Sequence, residues 1–277
     1  METGENNSLE LTTDSFDISL SEQYNITLQI GLHHVTYIIK DDKDLSIKKI
    51  EHYNLKNHSK SKNLKNIKLY NKEKNIFKNN FSKVLISYVG FPNTLIPKEI
   101  YNKNNEKEIL QFNTNIYKKI FADELVLQDT IIVYTIPNEI ITLTKVLFPT
   151  ANYIAQEKIL IDLFYNKQEN TECVYLSIYS QQVIITIFNG KKLIFNNTFD
   201  FKTSEDLLYY VLFSLEQLQL SRENVKVVLL GLIKNNDLNY KLLYEYIRNL
   251  TFINRDEKVN IPNELRKLEE HEFFGLI

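Results

Sequence analysis

One order of predicted secondary structure occurs twice along this chain, and that duplication restricts the folds it can adopt. The first half opens with three β-rich runs, at 24–31, 34–40 and 45–53. Apolar residues at helical spacing follow between Leu64 and Phe81, and a further strand is predicted at 83–89. The second half opens in the same way, with β-rich runs at 173–179, 182–188 and 192–201.

The second half also carries clear turn and helix signals. Asn189-Gly190 is a dipeptide that favours a type I′ hairpin turn. Thr203 or Ser204 is expected to cap a helix with leucines along one face, and a strand at 225–230 and a helix at 238–250 follow. Ordinary doubly wound folds alternate strand and helix from the start. A meander followed by crossovers instead predicts an α/β protein of two similar lobes, each with a mixed sheet, and a cleft between them.

Composition suggests where these lobes begin and end. We expect the first lobe at 21–166 and the second at 171–277, because a polar run separates them. Residues 1–20 are polar and acidic, which predicts a flexible leader or a strand added at a sheet edge. The stretch 95–128 is less regular and is a candidate inserted subdomain. Pro97 marks a helix start within it, since proline suits the first helical turn.

The charge balance argues against a protein drawn as a whole onto nucleic acid or an anionic membrane. The chain has 33 basic and 35 acidic residues and a formal net charge of −2. Its single cysteine, Cys173, allows no internal disulfide. The first 23 residues contain neither Lys nor Arg, unlike a secretory signal, and polar residues interrupt the apolar stretch 130–148. We therefore expect a soluble, cytoplasmic protein.

Four short strings of residues carry a family resemblance. They are Asn-Thr-Leu-Ile-Pro at 93–97, Leu-Phe-Pro-Thr-Ala at 147–151, Phe-Asn-Asn-Thr-Phe at 195–199 and Tyr-Glu-Tyr-Ile-Arg-Asn-Leu at 244–250. The chain resembles, over about residues 24–275, an uncharacterised Bacteroidetes family with an actin-like ATPase fold. That resemblance implies two ribonuclease-H-like lobes, each with a three-strand meander and β-α crossovers.

The resemblance also implies where nucleotide-binding residues would stand. Active actin-like ATPases carry a pattern like Asp-x-Gly-Thr-Thr after the first strand, and here Gln29, Gly31 and His33 lie in the matching stretch. The second lobe's Asp-x-Gly-Gly-Gly falls on a stretch that includes Ser177, Tyr179 and Ser180, and the adenosine-binding turn falls on Gly231. Both acids that would organise magnesium are absent. We expect no catalytic residue, no metal site and no ATP hydrolysis, so no cofactor is predicted; binding of ATP without turnover stays an alternative.

Two other features admit a functional interpretation beside a structural one. His33 and His34 are adjacent, and neighbouring strand residues point to opposite faces, which disfavours a shared metal ligand. The segment 56–83 holds nine lysines and one acid, with aromatics between them. It is either a solvated helix face or a nucleic-acid surface.

Three functions remain open on the sequence alone. The first is a non-catalytic scaffold that binds a protein partner of unknown identity. The second is a nucleotide-binding pseudo-ATPase without turnover. The third is an RNA- or DNA-associated protein acting through residues 56–83.

Overall fold

The chain folds into two compact units. The structure, a computed structural model, describes residues 9–55, 75–113, 119–126, 129–167, 170–254 and 261–276. Of these, the first unit contains 9–159, 261–267 and Leu276, and the second contains 160–254 and 268–275. The division thus falls within a helix rather than in the polar run 166–170, and residues near the C-terminus contribute to both units. Composition did not mark this point because a continuous helix carries the chain across it.

The first unit is built on a six-stranded mixed sheet. Its strands are β1 (Leu9–Thr12), β2 (Tyr24–Ile30), β3 (His34–Asp41), β4 (Ile47–Asn54), β5 (Lys83–Tyr88) and β9 (Asn152–Ala155). They are ordered β1-β4-β3-β2-β5-β9. The meander β2-β3-β4 is antiparallel, whereas β5 runs parallel to β2 and β9 runs parallel to β5. This is the predicted meander followed by crossovers.

The N-terminal part of the chain belongs to this sheet. Leu9–Thr12 pairs antiparallel with β4, from Leu9 opposite His52 to Thr12 opposite Lys49. A 3-10 helix at Ile18–Gln23 follows, and the carboxylate of Asp17 accepts a hydrogen bond from the Ser19 amide at its start. Residues 9–20 are thus ordered against the first unit rather than a flexible leader, and the alternative of an added edge strand is correct for Leu9–Thr12. The polar composition of this segment did not indicate a strand, because an edge strand needs apolar residues on only one of its faces.

A small antiparallel sheet is inserted after β5. Its strands are β6 (Asn93–Pro97), β7 (Lys119–Glu124) and β8 (Thr130–Ile136), in the order β6-β8-β7. Helix α1 (Glu106–Asn113) packs on it through a small core formed by Ile96, Leu110, Ile131 and Val133. The prediction of a helix beginning at Pro97 is wrong, because Pro97 is the last residue of an edge strand. Proline has no backbone N–H, and at this edge none is needed for pairing.

The remaining helices of this region are α2 (Asn138–Leu147) and α3 (Gln156–Lys167). The helix predicted between Leu64 and Phe81 lies mostly outside the described residues, as does most of the lysine-rich segment 56–83. Its described part includes a 3-10 helix at Asn75–Lys78, with Phe77 buried against Tyr37 and Phe148.

The second unit repeats the sheet plan of the first. Its strands are β10 (Glu172–Ile178), β11 (Gln182–Asn189), β12 (Lys192–Asp200), β13 (Lys226–Gly231) and β14 (Asn249–Phe252). They are ordered β12-β11-β10-β13-β14, with an antiparallel meander and two parallel strands. Strand for strand, this order matches β4-β3-β2-β5-β9 of the first unit. The predicted duplication is present.

Local signals define the helices of the second unit. Helix α4 (Ser204–Gln217) begins with a capping box in which Thr203 and Asp206 bond reciprocally to each other's backbone amides. Helix α5 (Leu238–Tyr246) is shorter than the predicted 238–250. Its C-terminal neighbour Ile247 is extended, with φ −119° and ψ 120°. Residues 249–252 instead form β14, because pairing with β13 satisfies their backbone groups.

Candidate functional site

The turn after β2 brings a glutamine and a histidine together. Oε1 of Gln29 lies 3.0 Å from Nε2 of His34, and both side chains are buried. Since an amide oxygen only accepts, Nε2 of His34 carries the proton. The turn is tight, with the Gly31 amide donating to the His34 carbonyl at 3.0 Å. The position expected to hold a magnesium-organising acid therefore holds a neutral amide engaged by a ring.

The same imidazole covers the glycine of this turn. A Cβ at Gly31 would lie 2.8 Å from Cε1 of His34 and 3.0 Å from Cγ1 of Val89. The glycine is therefore explained by close packing within the first unit. A phosphate approaching the backbone from this side would meet the His34 ring.

A row of buried polar side chains continues across the sheet from this pair. Strand register sets Gln29 opposite Thr36, and Thr36 opposite His52, on one face. The Thr36 hydroxyl lies 2.7 Å from Nδ1 of His52, and Nε2 of His52 lies 3.0 Å from Oδ1 of Asn54. A single neutral tautomer satisfies both contacts, with Nε2 of His52 donating to Asn54 and Nδ1 accepting from Thr36.

Burial keeps both histidines uncharged. It lowers the pKa of His34 well below its usual value, and the nearby His52 and His33 lower it further. Burial also lowers the pKa of His52 to about 4, against the opposing effect of its hydrogen bond to Asn54. The two rings lie 5.5 Å apart between centroids. Two imidazoliums in this space would repel each other, so the row supplies no positive charge for a phosphate at neutral pH.

A second polar group lies beyond Gln29 on the neighbouring parallel strands. Ser87 stands opposite Gln29, and its hydroxyl donates to Oε1 of Gln156 at the start of α3. Oε1 of Glu157 accepts from the Gly90 amide at 3.3 Å and from Nδ2 of Asn93 at 3.2 Å. These contacts hold the turn after β5 against the start of α3. Glu157 is the acidic side chain in this group, and it is committed to amide donors.

The equivalent turn of the second unit joins β10 to β11. Ser177 lies on β10 and is 1% exposed, and its hydroxyl has no hydrogen-bond partner in the described part of the chain. Tyr179 is buried, and its amide donates to the Gln182 carbonyl at 2.8 Å, which leaves Ser180 half-exposed in the turn. The position expected to hold the second acid thus holds a buried, uncharged hydroxyl.

Gly231 ends β13 and meets the chain near its C-terminus. It has φ +93°, and a Cβ there would lie 2.2 Å from the Ile178 carbonyl oxygen. Its amide donates to the His271 carbonyl at 2.9 Å. Nε2 of His271 lies 2.6 Å from the Ile233 carbonyl oxygen, and its ring packs against Phe252 with centroids 4.2 Å apart and planes tilted by 32°. The turn expected to bind adenosine is therefore packed against residues of the second unit itself.

The predicted positions form one group in each unit. Gln29, Gly31 and His33 share the turn after β2, with the His33 carbonyl accepting from the Leu55 amide at 2.8 Å. In the second unit Ser177, Tyr179 and Ser180 adjoin the turn that ends at Gly231, because the Leu232 amide donates to the Ile178 carbonyl at 2.7 Å.

Several residues of the polar row and of the second polar group were missed from the sequence. They are Thr36, His52 and Asn54 of the row, and Ser87 and Gln156 of the second group. Polar residues at alternate positions of two β-rich runs were a signal for the first three, but only the strand register unites them.

The described residues form neither a metal-binding cluster nor a membrane-spanning helix. No group of three or more His, Cys, Asp or Glu residues in the described ranges could hold a metal ion. Likewise, none of the helices formed by these residues is long and apolar enough to cross a membrane.

Comparison with known proteins places these observations in a family. The model of the family described as Protein of unknown function (DUF3822) matches residues 13–250. The chain belongs to this family. No curated protein matches the chain.

Solved structures identify the fold of this DUF3822 chain. A Bacteroides thetaiotaomicron protein with an actin-like ATPase fold and unknown function superposes with a TM-score of 0.74 at 20% identity, covering 86% of this chain and 93% of that one. The PilM-PilN type IV pilus biogenesis complex gives a TM-score of 0.57 at 13% identity, covering 91% and 96%. The DUF3822 chain has the actin-like ATPase fold, and the resemblance seen in its sequence is confirmed.

Proposed function

We propose that this protein is a non-catalytic member of the actin-like fold that works by binding another protein. The observation that carries the proposal is the hydrogen bond between Gln29 and His34 at Gly31. Phosphoryl transfer depends on positioning and on metal-assisted charge stabilisation. A neutral amide occupied by a neutral imidazole supplies neither.

The second unit supports the same proposal. Ser177 is uncharged and buried, so it offers magnesium no carboxylate. The Gly231 amide already donates its hydrogen bond to the His271 carbonyl. Neither group of residues therefore fits a magnesium–nucleotide.

The binding role rests on analogy with a relative of the same fold. The PilM-PilN complex, by its name, is an assembly for type IV pilus biogenesis. Fold does not imply function, so we carry over only the mode of action, which is association with a protein. A nucleotide-binding pseudo-ATPase is the alternative that the fold itself favours. The nucleic-acid alternative depends on residues 56–83, which lie mostly outside the described residues.

Titration with nucleotide separates the first two functions. We expect no change in the melting temperature and no heat on adding ATP or ADP with magnesium. A ligand at about 100 times its dissociation constant would add about 2.7 kcal/mol to the free energy of unfolding. A saturable rise of that size would favour the pseudo-ATPase, and release of phosphate that disappears with EDTA would contradict the proposal altogether.

Gentle purification tests the binding role directly. The tagged full-length chain is recovered from its native cells beside a Gly231→Ala variant, which controls for proteins that bind misfolded bait. We expect a protein in fixed stoichiometry with the native chain and not with the variant. Recovery of the free chain alone, at low salt and without detergent, would contradict a scaffold.

A further inference from the structure

The second sheet ends in a long strand with an open edge. β12 (Lys192–Asp200) pairs with β11 and with no other strand of the described ranges. It has nine residues, whereas β14 at the other edge has four. Residues 193–199 contain no charge, no proline and no glycine. Charges and proline usually prevent such an edge from pairing with another chain, and this stretch has neither; the bulge at Ile194 is the protecting feature that it retains.

The backbone of β12 alternates between its neighbour and the open side. The Phe201 amide donates to the Gln181 carbonyl of the adjoining turn at 3.0 Å. The Thr198 amide does not point at β11 and instead donates to Oδ1 of the Asn197 side chain, at 2.9 Å. Because successive amides of a strand point in opposite directions, even-numbered residues from Asn196 to Asp200 direct their backbone groups outward. This row is the template for another strand.

An aromatic patch adjoins the same edge. Phe199 of β12 stacks on Tyr210 of α4, with centroids 4.7 Å apart. Tyr210 contacts Tyr209, which stacks on Phe213 at 5.8 Å. Tyr209 is 59% exposed and Phe213 is 43% exposed. Contiguous exposed aromatic surface of this kind marks protein interaction sites.

We propose that β12 pairs antiparallel with β12 of a second copy of this chain, about a two-fold axis at Asn196. A second copy is the occupant that the sequence of the strand fits. Lys192 and Asp200 are equally distant from Asn196, so each lysine meets the aspartate of the other copy at both ends of the ladder. The result is a continuous ten-stranded sheet with the α4 aromatics of both copies on the same face of the sheet, one set on each side of the axis.

The bulge in β12 does not remove this complementarity. Ile187 pairs with Phe195 and Phe188 with Leu193, so Ile194 is the extra residue. If the outer ladder also skips it, Lys191 replaces Lys192 opposite Asp200. Both residues are lysines, so the charge match holds in either register.

The centre of the proposed ladder is polar and incompletely bonded. Oδ1 of Asn196 lies 2.9 Å from the Thr186 hydroxyl. Nδ2 of Asn196 is buried and has no acceptor within the described residues. Directly opposed residues of an antiparallel pair have Cβ atoms about 4.5–5.5 Å apart. The two Asn196 side chains would thus lie side by side at the axis, next to the Thr186 hydroxyls.

Charge exchange across the axis tests the proposal. We expect the unmodified chain to dimerise in sedimentation equilibrium. Replacing Lys191 and Lys192 by Glu puts like charges at both ends and weakens the dimer about tenfold, and Asp200→Lys does the same. A mixture of the two variants restores pairing, because every end then joins opposite charges. Restoration distinguishes an interface effect from misfolding, since two misfolded variants would not rescue each other.

A cysteine on the axis locates the interface. Asn196→Cys should give a disulfide-linked dimer under mild oxidation, since paired Cα atoms about 5.5 Å apart suit a disulfide. Thr251→Cys on β14 is the control and should form no disulfide-linked dimer; the native Cys173 is buried. A monomer at all concentrations up to about 1 mM overturns the proposal. A dimer that the charge variants leave unchanged and that Asn196→Cys does not link overturns it equally.

Discussion

Nε2 of His34 donates to Oε1 of Gln29 across the turn that holds Gly31, at 3.0 Å. That contact joins the residue standing in place of an acid to the ring that covers the glycine. The turn at which the family resemblance predicts phosphate binding is therefore filled by internal packing. This packing can be tested by measuring the free energy of unfolding of variants as well as by titration with nucleotide.

Removal of the Gln29 amide should destabilise the protein. Gln29→Leu keeps the approximate volume but deprives the buried imidazole of this acceptor, which should cost about 1–3 kcal/mol of unfolding free energy. Urea denaturation measures it. Gln217→Leu, at an exposed position of α4, is the matched control and should change stability by less than about 0.5 kcal/mol. Equal effects at the two positions would show that the Gln29–His34 contact contributes little.

The buried histidines should make the first unit sensitive to acid. The folded pKa of His52 is about 4, below the unfolded value of 6.5, so the unfolded state binds more protons between these two values. Stability is then fully present above pH 6.5 and decreases as the pH falls towards 4. A shift of that size corresponds to about 3 kcal/mol for His52. His34, with its pKa lowered in the same direction, adds to the loss.

A variant isolates this contribution from that of the carboxylates. His52→Gln removes one titrating group and retains polar atoms near Thr36 and Asn54. Its unfolding free energy should therefore fall less steeply than that of the unmodified chain between pH 6.5 and 4. Parallel curves in chemical denaturation at each pH would exclude His52 as the source of the slope.

The sequence predicted features that depend on neighbours along the chain. The Asn189-Gly190 turn and the Thr203 cap are local, and both are present, with Gly190 at φ +55°. The strand at Asn249–Phe252 was missed because its partner, β13, is distant in sequence and a helical pattern reached into it. The polar row needed the register of three strands, and a slip of one residue would have sent Thr36 to the other face.

An acid placed at Ser177 of the second unit should not create a metal site. Ser177 is 1% exposed, so Ser177→Asp buries a carboxylate without a bound cation and should destabilise strongly, by about 3 kcal/mol or more. Ser177→Ala removes a hydroxyl that has no partner among the described residues, and should be neutral or slightly stabilising. Thermal unfolding with and without magnesium measures both. Stabilisation of Ser177→Asp by magnesium would contradict this expectation and show that the position can hold the cation.

Two glycines of the second unit test the close packing of the turn after β13. Gly231→Ala places a methyl group 2.2 Å from the Ile178 carbonyl oxygen at φ +93°, so the backbone of β10 or β13 must move. Gly190→Ala also has positive φ, at +55°, but its Cβ meets nothing within 4 Å. The second change should cost about 1–2 kcal/mol, the strain of a left-handed residue alone. The first should cost several times more and disturb the His271 contact, because the Gly231 amide donates there.

Hydrogen exchange at the Gly231 and Leu232 amides, with urea denaturation of both variants, separates the two effects. Equal losses of stability would mean that conformation rather than close approach requires glycine at this turn.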